Sequence, residues 1–558
     1  MARTVSIGNQ DFEEIISNNY FYIDKTDFIK EWWENADSVT LITRPRRFGK
    51  TLTLHMLERF FSLKYSGKGE LFSGLKIWED KKFQELQGTF PVISLSFSGI
   101  KGNTFEETKR DICQMIATLY DKNSYLCDSG ILTRRELKYF NSITEDMPGI
   151  NMAISLQTLC DFMQRYYGKK VIILLDEYDT PMQEAFINNY WDELISFIRN
   201  LFNSTFKSNP YLERAIMTGI TRISKESIFS DLNNMEVVTS TSNKYAESFG
   251  FTQKEVSDAL IEFDLYENES KIKYWYDGFT FGNKTDIYNP WSIINFLDKK
   301  KLNPYWANTS SNSLVSTLIR EGNGNVKMIT EDLLSGNTFH TRIDEQIAFD
   351  QLRKDETAIW SLLLASGYLK VEKYTMPPET EEEEYDLKLT NNEVKRMFKN
   401  MIRGWFGICN THYNGFLAAL LRNDIEEMNL YMNDITLSTF SFFDTGKSSS
   451  KPECFYHGFV LGLMVDLADR YTITSNRESG YGRYDIMLKP KNKEDHAIII
   501  EFKVHNKKNE ENLNDTVRTA KEQIEKMNYT AGLISEGIPA NHIRTYGFAF
   551  EGKNVLIG

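Results

Sequence analysis

One short stretch of the sequence carries residue types that bind polyphosphates. Gly49-Lys50-Thr51 follows the apolar run SVTLIT and opens the amphipathic run TLTLHMLERFFSL. A phosphate-binding loop requires backbone N–H groups at a helix N-terminus, a lysine for the β- and γ-phosphates and a hydroxyl for Mg²⁺. The general pattern G-x-x-x-x-G-K-[ST] is matched only at its last three positions, because Arg44 stands where the first glycine is usual. A bare Gly-Lys-Thr is frequent by chance, so the strand–loop–helix setting gives this prediction its weight.

Two acids that follow the apolar run VIILL complete this predicted site. In open α/β sheets, ligands bind at the carboxyl ends of the strands, which is where Asp176 and Glu177 lie. We expect Asp176 and Thr51 to hold Mg²⁺, Asp176 through water, and Glu177 to orient and activate the attacking water. A strand that ends in solvated acids is the alternative, and it loses weight when Gly-Lys-Thr is also present.

The next apolar run, ERAIMTGITR, adds two candidates to the same site. Thr218 lies where it can sense the γ-phosphate. Arg222 can contact phosphate or, in a homo-oligomer, a neighbouring subunit's nucleotide, although an arginine that caps a helix or forms a salt bridge explains it equally well. The residues that we expect to contact ATP or its metal are Arg46, Arg47, Phe48, Gly49, Lys50, Thr51, Leu52, Asp176, Thr218 and Arg222.

A second candidate site lies near the C-terminus. Asp485 belongs to the run RYDIML, and Glu501 and Lys503 stand two residues apart in AIIIEFKV, a spacing that directs both side chains to one face of a strand. Asp485, Glu501 and the Phe502 carbonyl would ligate Mg²⁺, and Lys503 would position or deprotonate a water that attacks a phosphodiester. Spacing alone fits an exposed, ion-paired hairpin, whereas the apolar strands favour a functional site because unpaired charges there are costly.

The elements that position the first site alternate between strands and helices. Apolar runs predict strands, and periodic apolar residues, such as Leu54, Leu57, Phe60 and Phe61, predict helices. The predicted strands lie within 38–44, 90–98, 169–179 and 213–222, and the helices within 51–63, 103–122 and 153–167. Uniformly apolar strands separated by helices predict a parallel sheet that is covered on both faces.

The middle of the chain changes character. Residues 252–335 follow a helical pattern with turn signals at 276–279 and 289–290, and 356–403 read helix, strand, turn, strand, helix. This last order predicts a winged helix or, with equal weight, an α+β connector. Its acidic tip, Glu381–Glu384, would repel phosphate, so this wing is not expected to grip DNA.

The C-terminal part of the sequence predicts a compact α/β module that carries the second site. TGKSSSKP (445–452) has the composition of a flexible linker. Beyond it we predict a helix at 453–468, strands at 471–475, 483–488 and 496–504, a helix at 513–527 and a strand at 544–551.

Composition limits the range of functions. The 558 residues include 65 Lys and Arg against 78 Asp and Glu, a net charge of −13 that argues against a surface built entirely as a nucleic-acid clamp. Five scattered cysteines without a C-x-x-C pattern are expected to be reduced core thiols. No signal peptide and no run of about 18 apolar residues are visible, so we expect a cytoplasmic protein that spans no membrane.

The N-terminal motifs together resemble the predicted AAA-ATPase-like family of bacteria and archaea. The matching stretches within residues 5–315 are YFYIDKTDFI (20–29), RPRRFGKTLTLHML (44–57), TGITRISKESIFSDLNN (218–234), FGFT (249–252), YWYDGFTFG (274–282), YNPWSIINFL (288–297) and YWANTSSN (305–312). That family's loop itself reads R-P-R-R-F-G-K-T, so Arg44 departs only from the general P-loop. The resemblance implies a P-loop ATPase that uses ATP and Mg²⁺.

The C-terminal motifs resemble the PD-(D/E)XK nuclease-like domain found behind this ATPase family. By motif position, the resemblance implies a catalytic set of Glu453, Asp485, Glu501, Lys503 and Gln523, with Mg²⁺ or Mn²⁺ as cofactor. The expected fold class is α/β, with a P-loop sheet, a helical lid, a winged-helix-like middle and a restriction-endonuclease-like end. The expected domain limits are 1–250, 251–345, 346–405, 406–452 and 453–558.

Together these features predict an ATP-driven or ATP-regulated nuclease that acts on DNA, in defence against foreign DNA or in mobile-element processing. DNA binding is expected to be weak or gated, because the overall charge is negative. A signalling ATPase whose nuclease-like domain binds nucleic acid or a partner without cleavage is the alternative, and a homo-oligomer is compatible with both. A chaperone-like ATPase has no positive feature in the sequence.

Overall fold

The chain forms two compact units in the computed structural model. The described residues are 2–222, 229, 233–307, 313–345, 351–352, 355–378, 381–405, 410–443, 453–479, 482–492 and 494–558. The first unit comprises Met1–Ser310 with His340–Val394, and the second comprises Ser311–Phe339 with Lys395–Gly558. The predicted linker at 445–452 lies outside the described residues.

A five-stranded parallel sheet is the centre of the first unit. Its strands are β1 (Val39–Thr43), β2 (Val92–Ser96), β3 (Val171–Asp176), β4 (Leu212–Gly219) and β5 (Met235–Val238). They run in the order β2-β3-β4-β1-β5, and all pairs are parallel. The parallel sheet predicted from the apolar runs is therefore confirmed. The prediction missed β5, whose four residues Met-Glu-Val-Val are too few to give a periodic signal.

Helices surround this sheet. In the first unit they are α1 (Phe12–Ser17), α2 (Asp27–Asn35), α3 (Lys50–Phe61), α4 (Lys81–Leu86), α5 (Phe105–Lys122), α6 (Tyr125–Asp128), α7 (Arg134–Phe140), α8 (Gly149–Tyr167), α9 (Thr180–Ile187), α10 (Trp191–Phe202), α11 (Gln253–Glu262), α12 (Glu269–Tyr276) and α13 (Pro290–Lys299). The four apolar residues that predicted α3 are all buried, so this helix packs its apolar face into the core. That packing fixes the start of α3 at the edge of the sheet.

Two small sheets complete the first unit. The strands β6 (Phe251–Thr252), β7 (Phe279–Phe281) and β8 (Lys284–Tyr288) form an antiparallel sheet in the order β6-β8-β7. The sequence pattern missed this sheet because its strands are only two to five residues long. The other sheet consists of β9 (Phe339–Thr341), β10 (Leu369–Thr375) and β11 (Glu384–Leu389), in the order β10-β11-β9.

The predicted order helix, strand, turn, strand, helix over 356–403 is confirmed. The strands β10 and β11 pair antiparallel between α16 (Glu356–Ala365) and α17 (Asn392–Trp405). This module is tied to the rest of the first unit, since the Asn391 side chain donates to the Tyr276 carbonyl at 3.1 Å. A Cβ on Gly367 would lie 2.7 Å from the Pro45 ring, so the module also approaches the predicted phosphate loop closely.

The second unit is built on a mixed five-stranded sheet. Its strands are β12 (Tyr471–Ser479), β13 (Gly482–Pro490), β14 (Ala497–Val504), β15 (Ile543–Glu551) and β16 (Asn554–Ile557), in that order. Among these strands only the pair β14 and β15 is parallel, and α21 and α22 lie between its two strands in the chain. The helices are α14 (Ser313–Glu321), α15 (Gly324–Ser335), most of α17, α18 (Asn410–Arg422), α19 (Ile425–Phe443), α20 (Glu453–Asp466), α21 (Leu513–Lys526) and α22 (Thr530–Ser535).

Helix α19 covers the outer edge of this sheet through two asparagines. The amide of Asn433 donates to the Val555 carbonyl at 2.8 Å and accepts from the Val555 N–H at 2.9 Å. Asn429 makes the same pair with Ile557, at 2.9 and 2.8 Å. Four residues of helix rise about 6 Å and two of strand about 6.6 Å, so the spacings match. An edge strand with free N–H and C=O groups invites pairing with other chains, and α19 satisfies these groups.

Two sequence expectations concern the chemistry of the whole chain. Within the part of the chain that the structure describes, no helix combines the length and the apolar character needed to cross a membrane. The described cysteines Cys113, Cys127 and Cys160 carry free thiols, and Cys113 and Cys160 are buried.

Candidate functional site

The predicted phosphate loop connects β1 to the first turn of α3. Gly49 adopts a left-handed conformation at φ +82° and precedes Lys50, the first residue of the helix. The Lys50 ammonium donates to the carbonyls of Arg44 and Pro45, both at 2.8 Å, so the loop wraps around it. Burial lowers the pKa of Lys50 to about 8, partly offset by nearby acids of which Asp176 is the strongest. The loop thus holds the Lys50 ammonium at the centre of the candidate site.

Arg44, at the position of the usual first glycine, has a structural role. Its side chain is fully buried, and its guanidinium donates to the Thr239 carbonyl at 2.6 Å and lies 4.4 Å from the centre of the Phe281 ring. Burial lowers the pKa of Arg44 to about 9. This arginine joins the start of the loop to the segment that follows β5 and to the small sheet of β6, β7 and β8. The departure from the general pattern is therefore a packing feature.

The sheet order brings three predicted residues together at its carboxyl edge. Strand β4 lies between β1 and β3. The Asp176 carboxylate at the end of β3 accepts hydrogen bonds from two hydroxyl groups. The Thr51 hydroxyl donates to one oxygen at 2.6 Å, and the Thr218 hydroxyl donates to the other. A carboxylate, two hydroxyls and a lysine in this arrangement suit a Mg²⁺-bound polyphosphate, because Mg²⁺ prefers oxygen ligands.

Glu177 stands beside this cluster in a left-handed backbone conformation, at φ +50°. Its side chain is half-buried, and one carboxylate oxygen accepts from the Thr180 hydroxyl at 3.2 Å. A cavity of about 500 Å³ runs from these acids along α3 and β2. Its lining residues are Gln10, Thr51, Leu54, His55, Glu58, Ser94, Leu95, Ser96, Ser98, Leu174, Asp176 and Glu177. Water can therefore reach the Glu177 carboxylate, which general-base chemistry requires.

Asp179 is a residue of this site that the sequence prediction missed. Its buried carboxylate accepts from the backbone N–H groups of Ile220 and Thr221 at 3.0 and 2.9 Å. It thereby fixes the chain that follows β4 and leads to Arg222, whose Nε is buried without a hydrogen-bond partner among the described residues. The signal was present, because Asp179 stands three residues after Asp176 in the same acidic stretch.

The remaining loop residues contact protein with their side chains. Arg46 donates to the Gln183 amide at 3.4 Å, and the Arg47 guanidinium lies 4.5 Å from the centre of the Trp291 ring. Phe48 is buried, and Leu52, in the first turn of α3, is partly buried against the core. The buried Phe48 can therefore face a nucleotide only with its backbone.

The second candidate site is assembled from two strands and a helix. Strands β13 and β14 are antiparallel with Ile486 opposite Ile500, which places Asp485 beside Glu501. The Asp485 carboxylate accepts from the Phe502 N–H at 2.7 Å. These contacts bring together the two acids that the sequence predicted, 16 positions apart in the chain, on one hairpin.

Gln523 on α21 joins the acid to the lysine in this site. Its amide oxygen accepts from the Lys503 ammonium at 2.5 Å, and its amide nitrogen donates to the Glu501 carboxylate. The Lys503 ammonium lies 3.6 Å from the same Glu501 oxygen. The arrangement therefore unites four of the five predicted residues. Glu453 is the first residue of α20, and its side chain lies outside the described part of the structure.

The charges of this site are suited to a cation. Burial, followed by the nearby Asp485, raises the pKa of Glu501 to about 8, and burial also raises the pKa of Asp485. The second Glu501 oxygen is buried with no hydrogen-bond partner among the described residues. A divalent cation would offset the cost of burying these two acids and would give the second Glu501 oxygen a partner. Metal binding would also displace the proton that burial favours on the carboxyl groups.

The available ligand set is small. Among the described residues, no three His, Cys, Asp or Glu side chains converge on a point that a metal could occupy. Asp485, Glu501 and the Phe502 carbonyl would therefore hold the cation together with water. Such a ligand set fits Mg²⁺, which retains several waters when it binds to proteins.

Comparison with known proteins finds a family model at each end of the chain. Residues 6–229 match a family model described as "Predicted AAA-ATPase", and residues 451–558 match one described as "PD-(D/E)XK nuclease superfamily". The two resemblances predicted from the motifs are thereby confirmed over these residues. The motifs after residue 229 lie outside the first match.

A curated relative extends over a larger part of the chain. The "Uncharacterized protein in vnfD 5'region" of Azotobacter chroococcum mcd 1 is 25% identical over 403 residues, which cover 70% of this chain and 68% of the relative. Its description names no activity.

Proposed function

We propose that the N-terminal domain binds and hydrolyses ATP at the loop that precedes α3. Lys50 would bind the β- and γ-phosphates, and Thr51 and Asp176 would hold Mg²⁺, which neutralises charge on the phosphates. Glu177 would accept a proton from the attacking water, whose oxygen bonds to the γ-phosphorus as the bond to ADP breaks. The contact between Thr51 and Asp176 at 2.6 Å supports this assignment, because it unites the two proposed metal-binding groups.

The C-terminal domain, in the same proposal, hydrolyses DNA phosphodiesters with Mg²⁺ or Mn²⁺. When bound, the metal would polarise the phosphate and lower the pKa of a bound water. Lys503 orients that water and offsets negative charge at the phosphate, and Gln523 holds Lys503 and Glu501 in position. The water oxygen bonds to phosphorus as the bond to one sugar oxygen breaks, and the proton that the water loses ends on that sugar oxygen, which leaves as a hydroxyl group. The observation that carries this function is the buried Glu501 carboxylate beside Asp485, Lys503 and Gln523.

The complete proposal is a nuclease whose cleavage of DNA depends on ATP, in defence or mobile-element processing in the cytoplasm. The same proposal includes the domain limits 1–250, 251–345, 346–405, 406–452 and 453–558. It also includes the Arg222 contact to phosphate, the role of Glu453 and assembly into a homo-oligomer. Weak or gated DNA binding follows from the net charge of −13, because DNA phosphates are repelled by an acidic surface.

A plasmid-cleavage experiment tests the nuclease function. The full chain is incubated with supercoiled DNA and Mg²⁺ or Mn²⁺, with and without ATP, beside Lys503→Ala. We expect cleavage by the wild type and a loss of at least 100-fold in the variant, because Lys503 acts at the reacting phosphate. Lys508→Ala removes an exposed lysine of the same domain and should cleave normally. Absence of cleavage in every condition, or equal cleavage by Lys503→Ala, would exclude this nuclease site.

The alternative function is an ATPase switch whose nuclease-like domain binds without cutting. The interaction of Gln523 with both Glu501 and Lys503 is the observation that favours it, because it gives the Lys503 ammonium and one Glu501 oxygen partners within the protein. In that case the same experiment would give DNA retention in a filter-binding assay with intact DNA.

A further inference from the structure

The carbonyl oxygen of Arg46, inside the predicted phosphate loop, receives two side-chain hydrogen bonds. The Asn289 amide donates to it at 3.1 Å, and the Trp306 indole N–H donates at 3.0 Å. Asn289 and Trp306 are both buried. They lie 243 and 260 positions from Arg46 along the chain, so tertiary structure alone brings them to this oxygen.

The direction of this carbonyl decides where the next N–H group points. The peptide unit is planar and trans, so the Arg46 carbonyl and the Arg47 N–H point in opposite directions. Two donors that hold the oxygen on the side of Asn289 and Trp306 therefore turn the Arg47 N–H to the opposite side of the loop. An N–H group with this orientation can serve as a phosphate ligand.

The backbone of the loop alternates in hand. Arg47 has φ +65° and Gly49 has φ +82°, whereas φ is not positive at Arg46, Phe48 and Lys50. Successive residues of opposite hand form a concave nest of N–H groups that binds anions. A left-handed conformation is unfavourable for a residue with a Cβ, so Arg47 must be held by its surroundings.

The surroundings of the loop provide this restraint. The Arg47 guanidinium stacks on Trp291, and Phe48 packs against Phe279 and Phe281 with ring centres 4.8 and 5.4 Å away. Asn289 contributes twice, because its amide oxygen accepts from the Trp291 N–H at 2.9 Å and so caps α13. That bond orients the amide and leaves its nitrogen directed at the Arg46 carbonyl.

Trp306 is itself held in place by a buried carboxylate. Glu393, at the start of α17, accepts from the Trp306 N–H at 2.6 Å and from the Ser292 hydroxyl at 2.8 Å. The Trp306 ring lies 5.4 Å from Phe279 and 5.5 Å from Tyr368, measured between ring centres. The indole N–H therefore has a fixed direction before any ligand binds.

We infer that Asn289 and Trp306 are positioning residues of the nucleotide site: they hold the Arg46 carbonyl and so aim the backbone N–H groups of the loop at the polyphosphate. This role rests on the proposed binding of ATP at the loop. It also gives a function to the motifs YNPW and YWAN, which lie far from the loop in sequence.

Two conservative substitutions test the inference in the full-length chain. Trp306→Phe keeps an aromatic ring and removes the indole donor. Asn289→Ser keeps a residue type that caps helices and removes the amide donor. Calorimetric titration with ATP and Mg²⁺ should show the dissociation constant raised about 3- to 10-fold in each, the effect of one lost neutral hydrogen bond, and about 10- to 100-fold in the double variant.

Two controls separate this role from a general structural one. Tyr305→Phe removes a neighbouring hydroxyl, which donates to the Lys301 carbonyl at 2.6 Å, and should leave the dissociation constant unchanged. The kcat at saturating ATP should fall less than 3-fold in Trp306→Phe and Asn289→Ser, because the loop still closes on the phosphates once they are bound. An increase in KM without a comparable loss of kcat is not expected from partial unfolding.

Three outcomes would overturn the inference. A wild-type dissociation constant for ATP in both single variants would overturn this inference and leave the proposed nucleotide site standing. A lower melting temperature with unchanged affinity for ATP would have the same consequence. A wild-type chain that binds no ATP would remove the proposed nucleotide site and this role with it. Lys50→Ala distinguishes the cases, because its loss of binding establishes the site independently of Asn289 and Trp306.

Discussion

At the scale of single residues, the proposal gives binding and chemistry in the N-terminal site to two residues in different surroundings. Lys50 lies inside the loop and donates to two of its carbonyls, whereas Glu177 is half-buried and lines the cavity. The two residues therefore have different expected effects when they are changed. This difference offers a sharper test than the loss of turnover alone.

We expect Glu177→Gln to bind ATP normally but to hydrolyse it 10²- to 10⁴-fold more slowly, because the amide cannot accept the proton of the attacking water. Lys50→Ala should lose affinity for ATP, measured by calorimetry. Glu193→Gln, an exposed residue of the same unit, is the matched control and should hydrolyse ATP at the wild-type rate. Wild-type turnover in both Glu177→Gln and Lys50→Ala would remove the ATPase assignment.

At the scale of elements, buried polar groups tie helices to their neighbours. Glu393 joins the start of α17 to Trp306 and Ser292, and burial raises the pKa of its carboxyl from 4.5 to about 7. Between these two pKa values the folded chain binds a proton that the unfolded chain has lost. Stability is therefore expected to fall as the pH rises from about 4.5 to 7 and to stay level above it.

Glu393→Gln should remove this dependence, since a neutral amide keeps an acceptor for the Trp306 N–H. The free energy of unfolding of the variant, relative to wild type, should increase by about 3 kcal/mol between pH 4.5 and pH 8, at 1.36 kcal/mol for each pKa unit. Urea unfolding at several pH values measures it. The exposed Glu85→Gln, with the same change in charge, should show no such trend. If the difference in unfolding free energy between Glu393→Gln and wild type does not change with pH, the burial argument is contradicted.

The edge of the second sheet gives another prediction at this scale. Asn433→Ala leaves the N–H and C=O groups of Val555 without their partners, which costs about 1–3 kcal/mol for each unsatisfied buried group. We expect a lower thermal midpoint and, because the edge strand becomes available for pairing, aggregation at high concentration by light scattering. Asn509→Ala, an exposed site, should change neither. An unchanged midpoint for Asn433→Ala would mean that water replaces the asparagine.

At the scale of the whole molecule, the two proposed activities lie on different compact units of one chain. The chain passes from one unit to the other at three points, near residues 310, 339 and 394, so the units are covalently tethered at each. Helix α17 begins in the first unit at Asn392 and ends in the second at Trp405. A single element therefore belongs to both units.

If the units are coupled, changing the ATP site should alter cleavage. We expect Lys50→Ala to cleave plasmid at the rate that wild type shows without ATP, whether or not ATP is added, in a gel-based time course. Lys254→Ala, whose side chain is 87% exposed on the same unit, should respond to ATP as wild type does. Equal cleavage by wild type with and without ATP would show that the two activities are independent.

Much of this protein's structure can be predicted from short stretches of its sequence. The Gly-Lys-Thr between an apolar strand and an amphipathic helix, and the Glu501 and Lys503 pair in an apolar strand, depend only on residue type and short spacing. Strand and helix periods are properties of neighbouring residues, so the parallel sheet could be predicted and two candidate sites could be placed on it and on the C-terminal strands. Strands of two to four residues, such as β5, β6 and β7, span at most two strand periods and gave no such signal.

Only the tertiary structure decided which groups complete each site. The contacts of Asp176 with Thr51 and Thr218, and of Gln523 with Lys503, required the order and pairing of the strands. The bond from Trp306 to the Arg46 carbonyl joins residues 260 positions apart. No local pattern encodes such a contact, because it depends on how every element between the two residues folds. The sequence thus determined the chemistry available to this protein, and the packing of distant elements decided the direction in which its groups point.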